Sequence, residues 1–397
     1  MIALIDCNSF FVSCEQVAHP ELKNKPVVVF SNNNGCIISR SNEAKALGVK
    51  MGEAVFKYKH LFETGKVIGC SPSFSLYQKI SKQVVQALRG FSPWVEPYSI
   101  DESFVRFGGT DQASVLGPGM RQAVLTQTGI PVSIGFGATK TLAKLASDKA
   151  KAMPGNIMDL GSYALSRVLN TIPVEEVWGI GYRTTRWLHR HGIETAGAFR
   201  DADPHWIRKK MGIGGGRIQR ELNGQLCFPV GISVQMPSFY AQEAAQKSLL
   251  HSRSFPERIT SIPGLQTALA ENIKSACAKL RRANLCASEM GFFIKTSRFD
   301  SHYDSDAWTY RFPQATNNEN EVLRVMKSKL PTLFKSGYRY AKSGVYFNGL
   351  IPDSAVQLSF FVNPREEKER ALLGTLDHIR QRWGRQSIIR GSSLTSV

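Results

Sequence analysis

Two stretches decide how this chain folds: Ile2-Ala3-Leu4-Ile5-Asp6-Cys7-Asn8-Ser9-Phe10-Phe11 at its start, and Ser99-Ile100-Asp101-Glu102-Ser103-Phe104 a hundred residues on. In the first, a short apolar run ends on an acid, the pattern of a buried strand that delivers Asp6 at its end. The second sits inside a strand-like stretch from Trp94 to Phe107, with Asp101 and Glu102 in its middle. Adjacent residues of a regular strand point to opposite faces, so these two acids serve one point only if the strand is distorted there. Each signal is weak alone. A strand-end Asp is more often a capped structural acid, and Asp-Glu pairs are commonplace.

Outward from these stretches the pattern stays mixed. Lys25-Pro26 leads into Val27-Val28-Val29-Phe30 and then the polar run Ser31 to Gly35, a strand entering a turn. Glu43 to Leu47 reads as a helix stopped by Gly48, which sets residues 19–77 apart as a small α/β unit. Leu76, Ile80, Val84, Ala87 and Leu88 recur at helical spacing and Gly90 closes the pattern, so a helix covers a sheet. Ile130 to Phe136 reads as a strand and Thr139 to Lys151 as a basic helix ending before Pro154-Gly155.

Residues 166–232 turn helical, rich in Trp and Arg and punctuated by glycine. Residues 233–242 carry few charges and no periodicity, as a linker does. A third unit occupies 243–349, with a helix from Thr267 to Arg282 and strand candidates at Ser252 to Phe255, Glu289 to Thr296 and Ser343 to Phe347. The last stretch, 350–397, reads as extended or weakly ordered. The expected fold class is α+β and multidomain.

A chain of 397 residues is long enough for two to four domains. Its 42% hydrophobic and 21% charged residues are a globular balance. Fifty Lys and Arg against 32 Asp and Glu give a net charge of +18, which asks for a polyanionic partner, nucleic acid first. The bland alternative is charge that serves solubility alone. Seven cysteines without a C-x-x-C pair read as reduced thiols, not as a disulfide framework or a zinc site. The first Lys is Lys23 and Asp6 interrupts the leading apolar run, so no signal peptide is expected. The longest uncharged window, Gln122 to Thr139, carries Gln, Thr, Gly and Pro and does not resemble a membrane span. A soluble, cytoplasmic protein is expected.

Phosphoryl transfer from a nucleoside triphosphate uses two divalent ions about 3.5–4 Å apart, held by carboxylates from at least two segments. Asp6 and the pair Asp101-Glu102 supply such a set, with Ile5, Ile100 and Phe104 as apolar flanks. Ser39 and Lys45 follow the Ser31 to Gly35 turn, and Lys151 ends the basic helix; these are donors and cations for a triphosphate, although a solvated lysine is the bland reading. Arg40 is better taken as such a solvated cation. Trp178-Gly179-Ile180-Gly181, Leu188, Gly192-Ile193 and Thr195 place a glycine hairpin between two short helices, where backbone N–H groups approach a phosphate without Cβ interference. Arg183 and Arg186 add charge beside it. Gln357-Leu358-Ser359-Phe360-Phe361 has the make-up of a short peptide that docks in a hydrophobic groove, though such pentapeptides also arise by chance.

Taken together, these residues resemble the Y-family of DNA polymerases and, within it, the UmuC-type catalytic subunits of bacterial DNA polymerase V. The resemblance spans nearly the whole chain. It rests on Asp6 to Phe11, Glu43-Ala44-Lys45-Ala46-Leu47-Gly48-Val49, Ser99 to Glu102, Thr139-Lys140-Thr141-Leu142-Ala143-Lys144 and Trp178 to Gly181. It implies a right-hand polymerase: a palm at 1–165 with fingers inserted at about 19–77, a helical thumb at 166–232 with a helix-hairpin-helix, an α/β little finger at 243–349, and a clamp-binding tail at 350–397.

The resemblance also implies roles. Asp6, Asp101 and Glu102 become catalytic ligands of two magnesium ions, assisted by the Cys7 carbonyl. Phe10, Phe11, Ser39, Lys45 and Lys151 fall at the incoming dNTP, with Phe11 as an aromatic gate against a ribose 2′-hydroxyl. Gly179, Gly181, Arg183 and Arg186 fall on primer-template DNA, and Gln357, Leu358, Phe360 and Phe361 on a sliding clamp. A UmuD-like subunit and a recombinase filament are the further partners implied. Three departures stand out: Phe11 where this branch has Tyr, Phe360 where the clamp motif prefers Leu, and a shorter tail than the long UmuC-type chains.

The expected function is template-directed, error-prone translesion synthesis of the SOS type. A rival is a non-catalytic DNA-binding or clamp-associated regulatory protein that kept the fold; loss of one carboxylate would favour it, and all three are present. A nucleotidyl cyclase on the same palm needs no DNA grip, and Gly108-Gly109 is not followed by the acids cyclase motifs carry.

Overall fold

The apolar run at the N-terminus folds as β1 (Ile2–Cys7), buried from Ile2 to Ile5. A computed structural model describes residues 1–31, 35–108, 113–161, 165–231, 246–300, 302–356, 364–384 and 387–388. The chain separates into two units, Met1–Ala241 and Gln242–Val397.

In the first unit β1 is followed by α1 (Phe10–Ala18), β2 (Val27–Phe30), β3 (Ile37–Arg40), α2 (Asn42–Ala46), α3 (Lys59–Glu63), β4 (Ile68–Cys70) and α4 (Phe74–Arg89). Then come β5 (Val95–Pro97), β6 (Glu102–Arg106), α5 (Ala113–Thr128), β7 (Val132–Gly137), α6 (Lys140–Ala150) and β8 (Ile157–Asp159). Helices α7 (Leu165–Leu169), α8 (Tyr182–His189), α9 (Ala196–Asp201) and α10 (Pro204–Leu222) complete the unit.

The main sheet runs β5-β6-β1-β7-β8, with β1 antiparallel to both neighbours and β7 parallel to β8. Being central, β1 is paired on both edges and covered on both faces, which is why its sequence is an uninterrupted apolar run. Val84 and Leu88 of α4 and Met120 and Val124 of α5 join Ile5, Val105 and Ile134 in one core. Ala143 of α6 joins Leu4 and Phe104 in another cluster. Helix α6 lies almost on the backbone of β7: a Cβ on Gly135 would come within 1.9 Å of Ser147 N, and one on Gly137 within 2.8 Å of Ala143 N. Only glycine permits that approach.

A second, three-stranded sheet runs β3-β2-β4 around its own small core of Val28, Ile37, Ala44, Val49 and Val67. The C-terminal helices of the unit are joined to α6 by Glu221 of α10. Its buried carboxylate accepts from the backbone N–H of Thr141, Cys227 and Phe228 at 3.0, 2.7 and 2.9 Å.

The second unit contains β9 (Ser248–Ile259), α11 (Ile262–Arg282), β10 (Leu285–Thr296), β11 (Ser305–Thr316), α12 (Glu319–Leu333), β12 (Tyr340–Pro352) and α13 (Pro364–Trp383). Its sheet is antiparallel throughout, in the order β11-β10-β12-β9. Leu269, Ile273 and Leu280 of α11 and Val322, Met326 and Leu330 of α12 pack with Met290, Phe292 and Ile294, alternate residues of β10.

Three expectations are corrected. The single strand from Trp94 to Phe107 is two strands with a turn between them. The strands of the second unit are longer than their apolar centres, and β11 and α12 were not anticipated. The stretch 350–397 is not simply extended: β12 runs to Pro352 and α13 follows. Helix α13 is highly charged, yet it buries Leu373 and Leu376, and Asp377 accepts from Arg281 Nε at 2.6 Å and Nη2 at 3.0 Å. All of the linker at 233–242 and all of Gln357 to Phe361 lie outside the described residues. Among the described residues no helix is long and apolar enough to cross a membrane.

Candidate active site

Asp6 sits near the end of β1, and its cross-strand partner in β6 is Glu102. Like charges directly opposite each other destabilise a ladder, so this pair needs cations close by. The ladder reaches one step further, through Cys7 N donating to the Asp101 carbonyl at 2.9 Å. Strand β5 stops at Pro97 and β6 begins at Glu102, and between them the chain makes a tight turn. Tyr98 N and Ser99 N both donate to the Glu102 carbonyl, at 2.9 and 3.1 Å. The Ser99 hydroxyl accepts from Asp101 N at 3.2 Å and Glu102 N at 3.0 Å and donates to Asp101 Oδ1 at 2.5 Å. The distortion that adjacent acids require is therefore this serine-braced turn, which frees Asp101 from strand alternation.

The three carboxylates share one electrostatic neighbourhood. Burial pushes the Asp6 carboxyl up to about 6; the Lys151 ammonium opposes that, and the charges of Glu102 and Asp101 add to it. The Cys7 thiol is pushed well up by burial and then by the Asp6 and Asp101 charges. Such perturbed acids gather at functional sites.

Cations come from α6 and its C-cap. Lys140 Nζ lies 2.6 and 2.7 Å from the two oxygens of Glu96. One turn on, Lys144 forms an ion pair with Glu102. Lys151 Nζ is 3.0 Å from Asp6 Oδ2 and 3.1 Å from Asp148 Oδ1. The i, i+4 spacing of Lys140 and Lys144 was visible in the sequence, but nothing there said which acids they face.

Three carboxylates form an all-oxygen donor set, which suits a hard divalent cation such as magnesium. Among the described residues no three His, Cys, Asp or Glu side chains close into a ready-made cage. Glu102 and Asp6 direct oxygens at Lys144 and Lys151, so holding an ion requires these side chains to turn.

Phe11 is half-buried and stacks on Tyr77, with centroids 4.8 Å apart and planes at 26°, while Phe74 meets it edge-on at 5.9 Å. Tyr77 is fully buried and its hydroxyl donates to Glu15 Oε1 at 2.5 Å. Phe10 is a correction: at 3% exposure it belongs to the core, because the start of α1 turns its ring inward toward Tyr77. Ser39 is buried in a seam between β3 and α1; its hydroxyl donates to the Ser9 carbonyl at 3.2 Å and accepts from Val12 N at 3.3 Å. Lys45 is exposed on α2, and Arg40 donates to the Val49 carbonyl. Asp6, Asp101, Glu102 and Lys151 thus come together, whereas Ser39 and Lys45 belong to the three-stranded element.

Gly179 takes φ +89°, a left-handed conformation that glycine adopts without penalty, and Gly181 is the N-cap of α8. Arg183 and Arg186 are exposed on the first turns of that helix. A cleft of about 430 Å³ opens beside the hairpin, lined among others by Gly179, Arg183, Trp187, Lys210, Gly214 and Gly215. The second glycine run, which interrupts α10 at Gly212 with φ +69°, escaped the sequence reading even though Met211-Gly212-Ile213-Gly214-Gly215-Gly216 is conspicuous. The Gln357, Leu358, Phe360 and Phe361 motif lies outside the described residues.

Residues 5–148 match the model for the impB/mucB/samB family and residues 246–360 the model for its C-terminal domain. Protein UmuC of Salmonella typhimurium is 35% identical, over 98% of this chain and 92% of its own. The protein named DNA polymerase IV 2 of Halalkalibacterium halodurans is 28% identical, over 100% of this chain and 96% of its own. A solved Y-family DNA polymerase chimera of Dbh and Dpo4 has the same fold, with a TM-score of 0.70 at 20% identity, covering 89% of this chain and 100% of that chain.

Proposed function

Because the chain belongs to the impB/mucB/samB family, we propose that it is a template-directed DNA polymerase of the translesion, SOS-type class, extending a primer 3′-end with dNTPs across damaged template. The observation that carries this reading is the placement of Asp6 opposite Glu102, with Asp101 in the adjoining turn and Lys151 against Asp6. A non-catalytic regulatory role has no need of three acids in that arrangement.

The reaction is metal-dependent. Asp6, Asp101 and Glu102, with the Cys7 carbonyl, would hold two magnesium ions, which when bound neutralise charge on the attacking and leaving oxygens. The protein's own part is placement. Lys151, with Lys45, orients the triphosphate, while Ser39, buried and bonded to Ser9 and Val12, fixes the β3–α1 seam instead of meeting it. Phe11, stiffened by its stack on Tyr77, bars a 2′-hydroxyl. Gly179 and Gly181 offer backbone N–H groups to DNA phosphates, and Arg183 and Arg186 add charge, so grip is independent of sequence and weakens with salt.

The corresponding division is a palm at 1–165 with fingers at about 19–77, a thumb at 166–232, a little finger at 243–349 and a tail at 350–397. Through Gln357, Leu358, Phe360 and Phe361 the tail engages a sliding clamp, with a UmuD-like subunit and a recombinase filament as further cytoplasmic partners.

Primer extension on intact and abasic templates tests the reading, with wild type beside Asp101→Ala. The variant should lose activity by about a hundredfold or more. Equal extension by both proteins would sink it.

A further inference from the structure

Tyr98 opens the turn that carries Asp101 and Glu102, and its backbone N–H is bonded to the Glu102 carbonyl at 2.9 Å. Its hydroxyl accepts a hydrogen bond from Trp178 Nε1 at 3.0 Å, and the two rings meet edge-on at 5.4 Å and 88°. Trp178 also packs against Phe104 at 6.3 Å and Phe228 at 5.6 Å. The next residue is Gly179, the first glycine of the hairpin. One peptide step therefore separates the DNA-facing hairpin from Trp178, and one bonded turn separates Tyr98 from two of the three acids.

A second thread runs alongside. Lys144, paired with Glu102, places its ammonium 5.8 Å from the centre of the Tyr98 ring. Lys140 lies 4.9 Å from the Phe104 ring and holds Glu96, which also receives Gly231 N at 2.6 Å. Tyr98 is 38% exposed, so the contact contributes little to the cluster that Ile2, Leu4, Phe104, Ala143 and Val230 already fill. Its surroundings fit placement of the turn better than support of the fold.

We propose that the Trp178–Tyr98 contact is a positioning link through which DNA seated on the hairpin sets the turn holding Asp101 and Glu102. The proposal rests on the polymerase reading and deepens it. Template-primer seated at Gly179 to Gly181 and the geometry at Glu102 are then thermodynamically coupled, and nucleotide addition is fastest only when the hairpin is engaged. Tyr98 and Trp178 are positioning residues, acting through Glu102 and Gly179.

The experiment measures three quantities on the full chain: the single-turnover rate of nucleotide addition at saturating DNA and dNTP, the dissociation constant for primer-template, and the urea unfolding midpoint. It compares wild type, Tyr98→Phe, Trp178→Phe, the double variant and Asp101→Ala. Each single variant should slow addition by about three- to fivefold, the scale of one modest hydrogen bond. DNA affinity should weaken by no more than the same factor, as reciprocity of the coupling requires, the unfolding midpoint should stay at its wild-type value, and the double variant should be no slower than the slower single one. Tyr98→Phe at the wild-type rate, or losses that multiply in the double variant, would overturn the link. So would a fall in midpoint that tracks the fall in rate, since that assigns the contact to the fold. A wild type as inert as Asp101→Ala defeats the polymerase reading instead, a separate and recognisable result.

Discussion

Asp6 and Glu102 occupy opposed positions on the β1–β6 ladder, two acids where an ordinary sheet would pair a charge with its opposite. The apolar flanks that bury Asp6 raise the cost of its charge. The Lys151 ammonium recovers part of that cost.

A pH dependence of stability follows, with a definite sign. The folded Asp6 carboxyl titrates near 6 against 3.8 for an ordinary Asp, so between these values the folded chain holds a proton that the unfolded chain has lost. Stability from this group is present below pH 4 and falls as pH rises to 6, by about 3 kcal/mol in all. Urea unfolding of chelator-treated protein at pH 4.5 and 7 should show wild type losing stability relative to Asp6→Asn. Parallel curves for the two proteins would refute it.

Cation binding competes with the same proton. Magnesium affinity should fall by up to about tenfold per pH unit below 6 and be flatter above. Calorimetric titration in two buffers of different ionisation enthalpy reads the proton released at pH 5.5 directly; release equal at pH 5.5 and 7.5 would count against Asp6 as a ligand.

The stack of Phe11 on Tyr77 gives the sugar gate a rigid backing. Phe11→Ala should raise ribonucleotide incorporation relative to deoxyribonucleotide by about tenfold or more, because discrimination by a clash is lost with the group that clashes. Single-nucleotide extension with matched dNTP and rNTP measures it. Unchanged sugar selectivity would make Phe11 a core residue only.

Tyr77→Phe leaves the Glu15 carboxylate buried without the hydroxyl that bonds it at 2.5 Å. An orphaned buried acceptor costs about 1–3 kcal/mol, more when charged. The loss should appear in the urea midpoint, and an unaltered midpoint would mean that Glu15 finds another donor.

In the second unit, Arg281 bonds Asp377 of α13, Glu319 and the Asn317 carbonyl together. Arg281→Met removes the cation bonded to both the fully buried Glu319 and Asp377 and should cost about 3–5 kcal/mol. Amide exchange should speed up across residues 364–384 first. Wild-type protection there would show that Leu373 and Leu376 suffice to hold the helix.

Legibility in the sequence followed the physics of each element. Strand β1 and helices α4 and α6 were readable because Ile2 to Ile5 is an unbroken apolar run and Leu76, Ile80, Val84 and Leu88 fall on one helical face. Strand β3 has only two apolar residues after a polar turn, too few to show a period. Helix α5 carries Gly117-Pro118-Gly119 and α12 carries Pro331, signals that normally end helices, and tertiary packing overrides both. Helix α13 is held by two leucines and an ion pair to a distant arginine, neither of which forms a stripe. At the site, strand alternation demanded a distortion beside Asp101, but the hydroxyl of Ser99 that makes it was not singled out. Phe10 and Phe11 looked alike until helix α1 gave each a direction. Tyr98 and Trp178, 80 residues apart, are partners only in three dimensions.

Gly135 and Gly137 let α6 rest directly on β7, and that seat has a mechanical meaning. A helix set down backbone on backbone has no slack, so Lys144 and Lys151 ride at a fixed height beside β1, like the stationary jaw of a vice. The opposite jaw is different: the turn from Tyr98 to Glu102 is held by the hydrogen bonds of Ser99 and of the Glu102 carbonyl and by the edge-on contact of Tyr98 with Trp178. The cationic side beside the carboxylates is thus fixed by backbone set against backbone, and the acidic side by one turn and the hydrogen bonds that brace it.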